Sequence, residues 1–162
     1  MSGTRLDRFS GASRWLRSTP RRTFILYPIG VVLFEVAVRR GAPVFHLWGV
    51  AFLVWGYSQY RLVGRYRIRH GGGGPGLEMP PARIVCGGPY QYVRNPMYLG
   101  HLIFMFGLTV TFSSWLAATL LIFHVFWFHR RVLSDEARLL QRFGSSYADY
   151  QARVKRWLPG IV

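Results

Sequence analysis

Residues 95–129, thirty-five in a row, contain no Asp, Glu, Lys or Arg. As one helix that run would reach about 52 Å at 1.5 Å per residue. The hydrocarbon core of a bilayer is about 30 Å thick, so the run must turn back. Ser113-Ser114 is the polar point at which it can, which predicts Met97–Phe112 and Trp115–Phe128 as the arms of a tight helical hairpin. Two apolar stretches precede it: residues 23–38 carry one charge, Glu35, and residues 41–60 carry none. The pattern predicts an all-α integral membrane protein with about four transmembrane segments, near 23–39, 43–61, 97–112 and 114–130. A buried soluble bundle is the bland alternative, and it has little use for so long an uncharged run.

The 162 residues hold 21 Lys+Arg against 6 Asp+Glu, yet 51% are hydrophobic and 17% aromatic. That length suits one domain. A disordered basic tail would lack the aromatics. A nucleic-acid module would carry a recognised motif, and here the arginines flank membrane segments instead. The single Cys86 excludes a disulfide framework and a cysteine-based zinc site.

The arginines also orient the chain. Six precede the first segment, six lie from Arg61 to Arg94, and seven cations follow residue 129, while the hairpin turn has none. The positive-inside rule then puts both termini and the middle loop in the cytoplasm; the membrane expected is a bacterial inner membrane. Arg39 and Arg40 oppose that orientation, and Glu35, one turn earlier, partly compensates them. Residues 1–22 read as a basic cytoplasmic arm and 23–162 as the membrane domain, with a cytoplasmic tail over 131–162. No signal peptide is expected. Trp15 and Leu16 either rest on the membrane surface or belong to a solvated arm.

Most isolated motifs carry no chemistry. Gly71–Gly76 (GGGGPG) lacks the flanking strand and helix of a phosphate loop, and with Pro80-Pro81 it reads as a hinge. None of the five histidines has metal-ligand spacing, so no metal is expected. His101 and His124, on the two hairpin arms, are expected to be hydrogen-bonded inside the membrane. Cys86 has no acid–base partner nearby in sequence and reads as an ordinary small residue.

Two segments differ in kind. Residues 82–100 (ARIVCGGPYQYVRNPMYLG) lead back into the membrane, and residues 131–159 (RVLSDEARLLQRFGSSYADYQARVKRWLP) follow the last segment on the same side. Taken alone, Asn95-Pro96 can be a helix cap followed by an N1 proline. Ser134 can likewise cap a new helix, with Asp135 and Glu136 in its first turn.

Together, GPYQYVRNPMYLG resembles the GPYxxxRHPxYxG pattern of the integral-membrane methyltransferases, a group that includes the isoprenylcysteine carboxyl methyltransferases and phospholipid N-methyltransferases. DEARLLQRFGSSYADYQARVKRWLP is similar to their EExxLxxxFGxxYxxYxxxVxRxxP tail, in the same order and with one hairpin between. The likeness covers about residues 61–159. Asn95 stands where the family has His, and Asp135 replaces the first acid of its Glu pair. Asn can hold a ligand but cannot titrate, which argues against acid–base chemistry at that position.

The resemblance implies an S-adenosylmethionine-dependent methyltransferase acting on a lipophilic acceptor from the bilayer, an isoprenylcysteine-type carboxylate or a phospholipid amine. It places Arg83, Ile84, Val85, Tyr90, Asn95, Pro96, Met97 and Tyr98 along the cofactor, with Asp135 and Glu136 offering a carboxylate to its α-amino group. It turns Arg131 toward the substrate; an ion pair with Asp135, one turn on, is that residue's alternative role. The rival reading is a non-catalytic basic membrane protein holding anionic lipids or a partner's acidic tail.

Overall fold

A computed structural model of the chain describes residues 18–72 and 81–157, whose regular structure is helical apart from one isolated parallel bridge, Val93 to Lys155. The readings of Trp15, Leu16 and most of the glycine run fall outside these residues.

The first helical stretch, α1 over 19–39, consists of Thr19–Arg21, a π-helical Arg22–Leu26 and Tyr27–Arg39. Pro28 accounts for the π turn. It has no N–H to bond the carbonyl of Phe24, and its ring would crowd that carbonyl in a regular α-helix. Widening the turn, with the Tyr27 N–H bonded to the Arg22 carbonyl, removes the conflict and stacks Arg22 under Tyr27. At the far end Arg39 Nε pairs with Glu35 Oε2 at 2.7 Å, the compensation expected from sequence.

The second segment differs from its expected 43–61 at both ends. Pro43 keeps the residue before it out of the α region, and the His46 N–H bonds the Thr111 carbonyl at 2.8 Å, so residues 42–46 run non-helically over the end of the hairpin. A 3-10 turn, Leu47–Gly49, then leads into α2, Val50–Gly71. That helix continues past Arg61 because arginine is a good helix former.

The hairpin is α3, Pro96–Phe112, and α4, Trp115–Phe143. The chain reverses at Ser113, in the left-handed region at φ 45°, and Ser114 caps α4 by accepting the Ala117 N–H at 3.3 Å. The expected break at residue 131 is absent. Ser134 lies within α4 and caps nothing, and its carbonyl accepts from Arg138 Nε at 3.4 Å. Gly144, at φ 56°, ends α4 before α5, Ser145–Arg153. Among the described residues α4 alone is long and apolar enough to cross a membrane by itself; α3 is apolar but shorter.

The tightest packing is backbone on backbone between α2 and α3. A Cβ on Gly56 would lie 2.4 Å from Phe104 N, and one on Gly100 would lie 2.9 Å from the Gly56 carbonyl oxygen. Small residues that let helices approach this closely are typical of membrane packing. The distribution of polarity agrees. Leu33, Val54 and Phe126 are 60–68% exposed on the outside, while Thr23, His101, Thr111 and His124 are buried within.

The two histidines of the hairpin part ways. His124 meets the Tyr27 hydroxyl at 3.0 Å and the Leu120 carbonyl at 2.8 Å, as expected. His101 does not follow. Its ring nitrogens have no hydrogen-bond partner among the described residues, because its ring packs among Phe24, Tyr60 and Phe128.

Candidate active site

Where α3 begins, a cavity of about 200 Å³ opens between α2, the loop from residue 81, α4 and α5. Seven residues singled out from sequence line it: Ile84, Val85, Tyr90, Asn95, Met97 and Tyr98 from the first segment, and Asp135 from the second. Two stretches separated by a whole hairpin thus face one space.

Local geometry explains the convergence. Gly88, at φ 57°, turns the loop into a 3-10 helix, Gly88–Gln91, against the Tyr66 ring; a Cβ there would lie 2.6 Å from Tyr66 Cζ. Pro96 then starts α3 at its first position, which aims Met97 and Tyr98 back at the loop. The tail closes the other side. The Arg94 N–H bonds the Lys155 carbonyl at 2.9 Å, and the Tyr150 hydroxyl donates to the Tyr90 carbonyl at 2.7 Å.

Asp135 is held from two directions. The Tyr98 hydroxyl donates to its Oδ2 and Arg138 Nη2 to its Oδ1, each at 2.7 Å. Each oxygen keeps a free lone pair, and the side chain is 25% exposed, so it stays accessible. The alternative Arg131–Asp135 ion pair does not form. The Arg131 guanidinium lies over the Trp127 ring, 5.8 Å from its centroid, and reaches the Tyr98 hydroxyl.

Four expected residues lie elsewhere. Arg83 is exposed, with its N–H on the Gly71 carbonyl, and Pro96 is buried in the α3 start; neither lines the cavity. Arg131 stands behind Tyr98. Glu136 is turned away and only 3% exposed. Its Oε1 accepts from Asn95 Nδ2 at 3.0 Å and lies 3.4 Å from Arg94 Nε. Its Oε2 accepts from Arg156 at 3.1 Å and from Gln151 at 3.4 Å. This corrects two readings. Glu136 is a clasp between α4 and the tail, and Asn95, although at the N-cap position, makes no side-chain capping bond and instead donates its Nδ2 to that clasp.

Sequence reasoning missed Arg67, Arg94, Arg138, Leu139, Arg142, Tyr147 and Tyr150 in the lining. Asp135, Arg138, Leu139 and Arg142 follow the spacing of one helix face. That signal was readable once α4 was carried through Ser134. Burial pushes the Tyr90 hydroxyl up to about 12, against a lowering pull from Arg67. Burial likewise raises Tyr150 and Tyr147, with the nearby Glu136 adding to the rise at Tyr147. These three phenols stay protonated at neutral pH, and that of Tyr150 donates to the Tyr90 carbonyl.

Comparison with known proteins follows the same residues. A family model described as phospholipid methyltransferase matches residues 42–146. Protein-S-isoprenylcysteine O-methyltransferase of Schizosaccharomyces pombe is 36% identical over 80 residues, covering 48% of this chain and 34% of that protein. Its counterpart in Dictyostelium discoideum is 34% identical over 86 residues, covering 48% and 33%. The chain therefore spans about a third of the length of these relatives. The solved structure of a eukaryotic intramembrane Ras methyltransferase, isoprenylcysteine carboxyl methyltransferase, superposes with a TM-score of 0.54 at 17% identity, covering 99% of this chain and 55% of that one.

Proposed function

The chain belongs to the phospholipid methyltransferase family, and from that membership and the shared cavity we propose that it moves a methyl group from S-adenosylmethionine to a carboxylate on a lipophilic acceptor. The observation that carries this reading is the meeting of both segments at one space, with Asp135 fixed by Tyr98.

The residues present suit the donor. Ile84, Val85 and Met97 offer apolar walls and Tyr90 an aromatic one. The free lone pairs of Asp135 suit an ammonium group, and Arg138 and Arg142 suit a carboxylate. When bound, S-adenosylmethionine supplies a sulfonium-activated methyl for a single in-line displacement. An ionised carboxylate acceptor is already a nucleophile, so the chain need only position it and exclude water. We assign the orienting role to Arg131, behind Tyr98.

The choice of carboxylate rests on charge. Arg67, Arg94, Arg138 and Arg142 line the cavity against one acid, Asp135, which already has Arg138. That field favours an anionic acceptor over a cationic ammonium. The description of the matching family favours a second reading, a phospholipid amine. We adopt four membrane segments, with both termini and the middle loop cytoplasmic as the arginine count directs.

Expression with methyl-labelled methionine separates the acceptors. A methyl ester releases labelled methanol in base, and an N-methyl group does not. Base-labile label that depends on Asp135 supports the carboxylate reading. Base-stable label in phospholipid moves the reading to the amine, and no label in either sinks both.

A further inference from the structure

A second concavity, a groove of about 410 Å³, opens where α2 meets the loop leading to α3. One wall is α2, through Trp55, Ser58 and Leu62; the other is the 3-10 turn and the residue after it, through Pro89 and Tyr92. Residues of this turn face two ways. Pro89 and Tyr92 line the groove while Tyr90 lines the donor cavity, and the two spaces share no lining residue. Gln59 keeps the walls together, its Nε2 donating to the Pro96 carbonyl at 2.9 Å. The rim is apolar and open: Trp55, Leu62 and Tyr92 are 56–62% exposed. A walled apolar groove of this size is the shape of a ligand site rather than of a plain helix face.

Charge selects the occupant. Trp55, Ser58, Leu62 and Arg65 recur at steps of three and four residues, so they form one stripe of α2, and Arg61, three past Ser58, flanks it. Both arginines are exposed, and neither makes an ion pair among the described residues. The described acids, Glu35, Asp135, Glu136 and Asp149, all lie outside α2 and the 3-10 turn. Trp55 to Leu62 spans about 10 Å along the helix axis, and Arg65 is about 4.5 Å further. A hydrocarbon chain lying in the groove therefore brings its polar end to the guanidinium groups. A free anion would leave the groove empty, and a second copy of the chain would set like charges against these arginines.

We propose that this groove seats an anionic phospholipid of the surrounding membrane, with one acyl chain along Trp55, Ser58 and Leu62 and the phosphate at Arg61 and Arg65. The guanidinium fork matches two phosphate oxygens, and basic residues beside an apolar membrane segment favour anionic lipid over neutral. The seat is independent of the donor cavity and of the methyl acceptor.

The test uses the full chain in detergent, titrated with phosphatidylglycerol and with phosphatidylcholine of the same acyl chains and read by native mass spectrometry. The wild type should prefer phosphatidylglycerol by tenfold or more. The double variant Arg61→Gln with Arg65→Gln should reduce that preference to twofold or less. Ser58→Phe, which fills the groove and leaves both arginines in place, should reduce it as far. Arg153→Gln, on an exposed arginine of α5, should leave it unchanged. A wild-type preference in Ser58→Phe means the lipid answers to surface charge alone and overturns the groove. A wild-type preference in the double arginine variant overturns the headgroup assignment. Inorganic phosphate that displaces the lipid at equal concentration makes this a free-anion site and overturns the proposal. A dimer that excludes lipid and dissociates in Ser58→Phe makes the groove an interface between copies and also overturns it. Should Ser58→Phe fail to fold, Leu62→Glu, which sets a carboxylate between the groove and the arginines, carries the comparison, and an unchanged preference there has the same force.

Discussion

The Tyr98 hydroxyl donates a 2.7 Å hydrogen bond to Asp135 Oδ2, joining the first turn of α3 to a residue well along α4. The bond is charge-assisted and partly buried, which places it among the stronger kind, about 1.5–3 kcal/mol. It holds in place the one acid that lines the cavity. Tyr98→Phe should keep the ring's packing against Phe128 and lose the bond alone. We expect S-adenosylhomocysteine affinity to fall about tenfold, or about 1.4 kcal/mol, by isothermal titration calorimetry. Unchanged affinity would show that Asp135 needs no such positioning.

The Glu136 clasp predicts the opposite profile. Its carboxylate is 3% exposed and faces Arg94, Arg156, Asn95 and Gln151. Glu136→Gln leaves two guanidinium groups without their counter-charge, which should destabilise the fold by about 3 kcal/mol. The melting temperature should drop clearly, while any surviving folded protein keeps most of its cofactor affinity. A stable variant that no longer binds would move Glu136 back into the cavity.

The α2–α3 contact depends on missing side chains. Gly56→Ala would drive a methyl into the Phe104 backbone at 2.4 Å, whereas Gly30 has nothing within 4 Å of its Cβ position. Overpacking of this kind costs about 1–3 kcal/mol. Thermal unfolding in detergent should show Gly56→Ala destabilised and Gly30→Ala close to wild type. Equal melting temperatures would mean the two helices separate freely.

The rate should also report the acceptor through pH. Tyr90 is held up to about 12, and Asn95 replaces a residue type that titrates near neutrality. A carboxylate acceptor, with an ordinary value near 4, is ionised throughout the range from about pH 6 to 8. Turnover should therefore be flat across that range. An amine acceptor loses about tenfold in free base for each unit below its own value, so a rate climbing steeply with pH would favour the amine.

How much of this was legible in the sequence differs by element. The uncharged run forced a reversal, and Ser113-Ser114 supplied the residues for it: one accepts the left-handed conformation and the other caps α4. The continuation of α4 through residue 131 was hidden, because charge begins there and Ser134-Asp135-Glu136 imitates a helix start. Tertiary packing decided the matter, since Val132 and Glu136 are both buried on the α4 face turned inward. The cavity's two walls were legible from their shared family pattern. The Asn95–Glu136 clasp was not, since its partners are 41 residues apart and nothing local pairs them. The π turn at Arg22–Leu26 left a trace, Pro28, whose effect on the preceding turn becomes clear only once the helix is seen to run through it.

The most direct measurement is a calorimetric titration of S-adenosylhomocysteine into the detergent-purified wild type, Asp135→Asn and Arg131→Ala, with a melting temperature for each. The account predicts saturable binding by the wild type and at least a tenfold loss in Asp135→Asn, with little change in melting temperature. Arg131→Ala should retain wild-type affinity and lose methyl transfer. Wild-type protein that shows no saturable binding, or an Asp135→Asn variant that binds as the wild type does, would contradict a methyl-donor site built from these two segments.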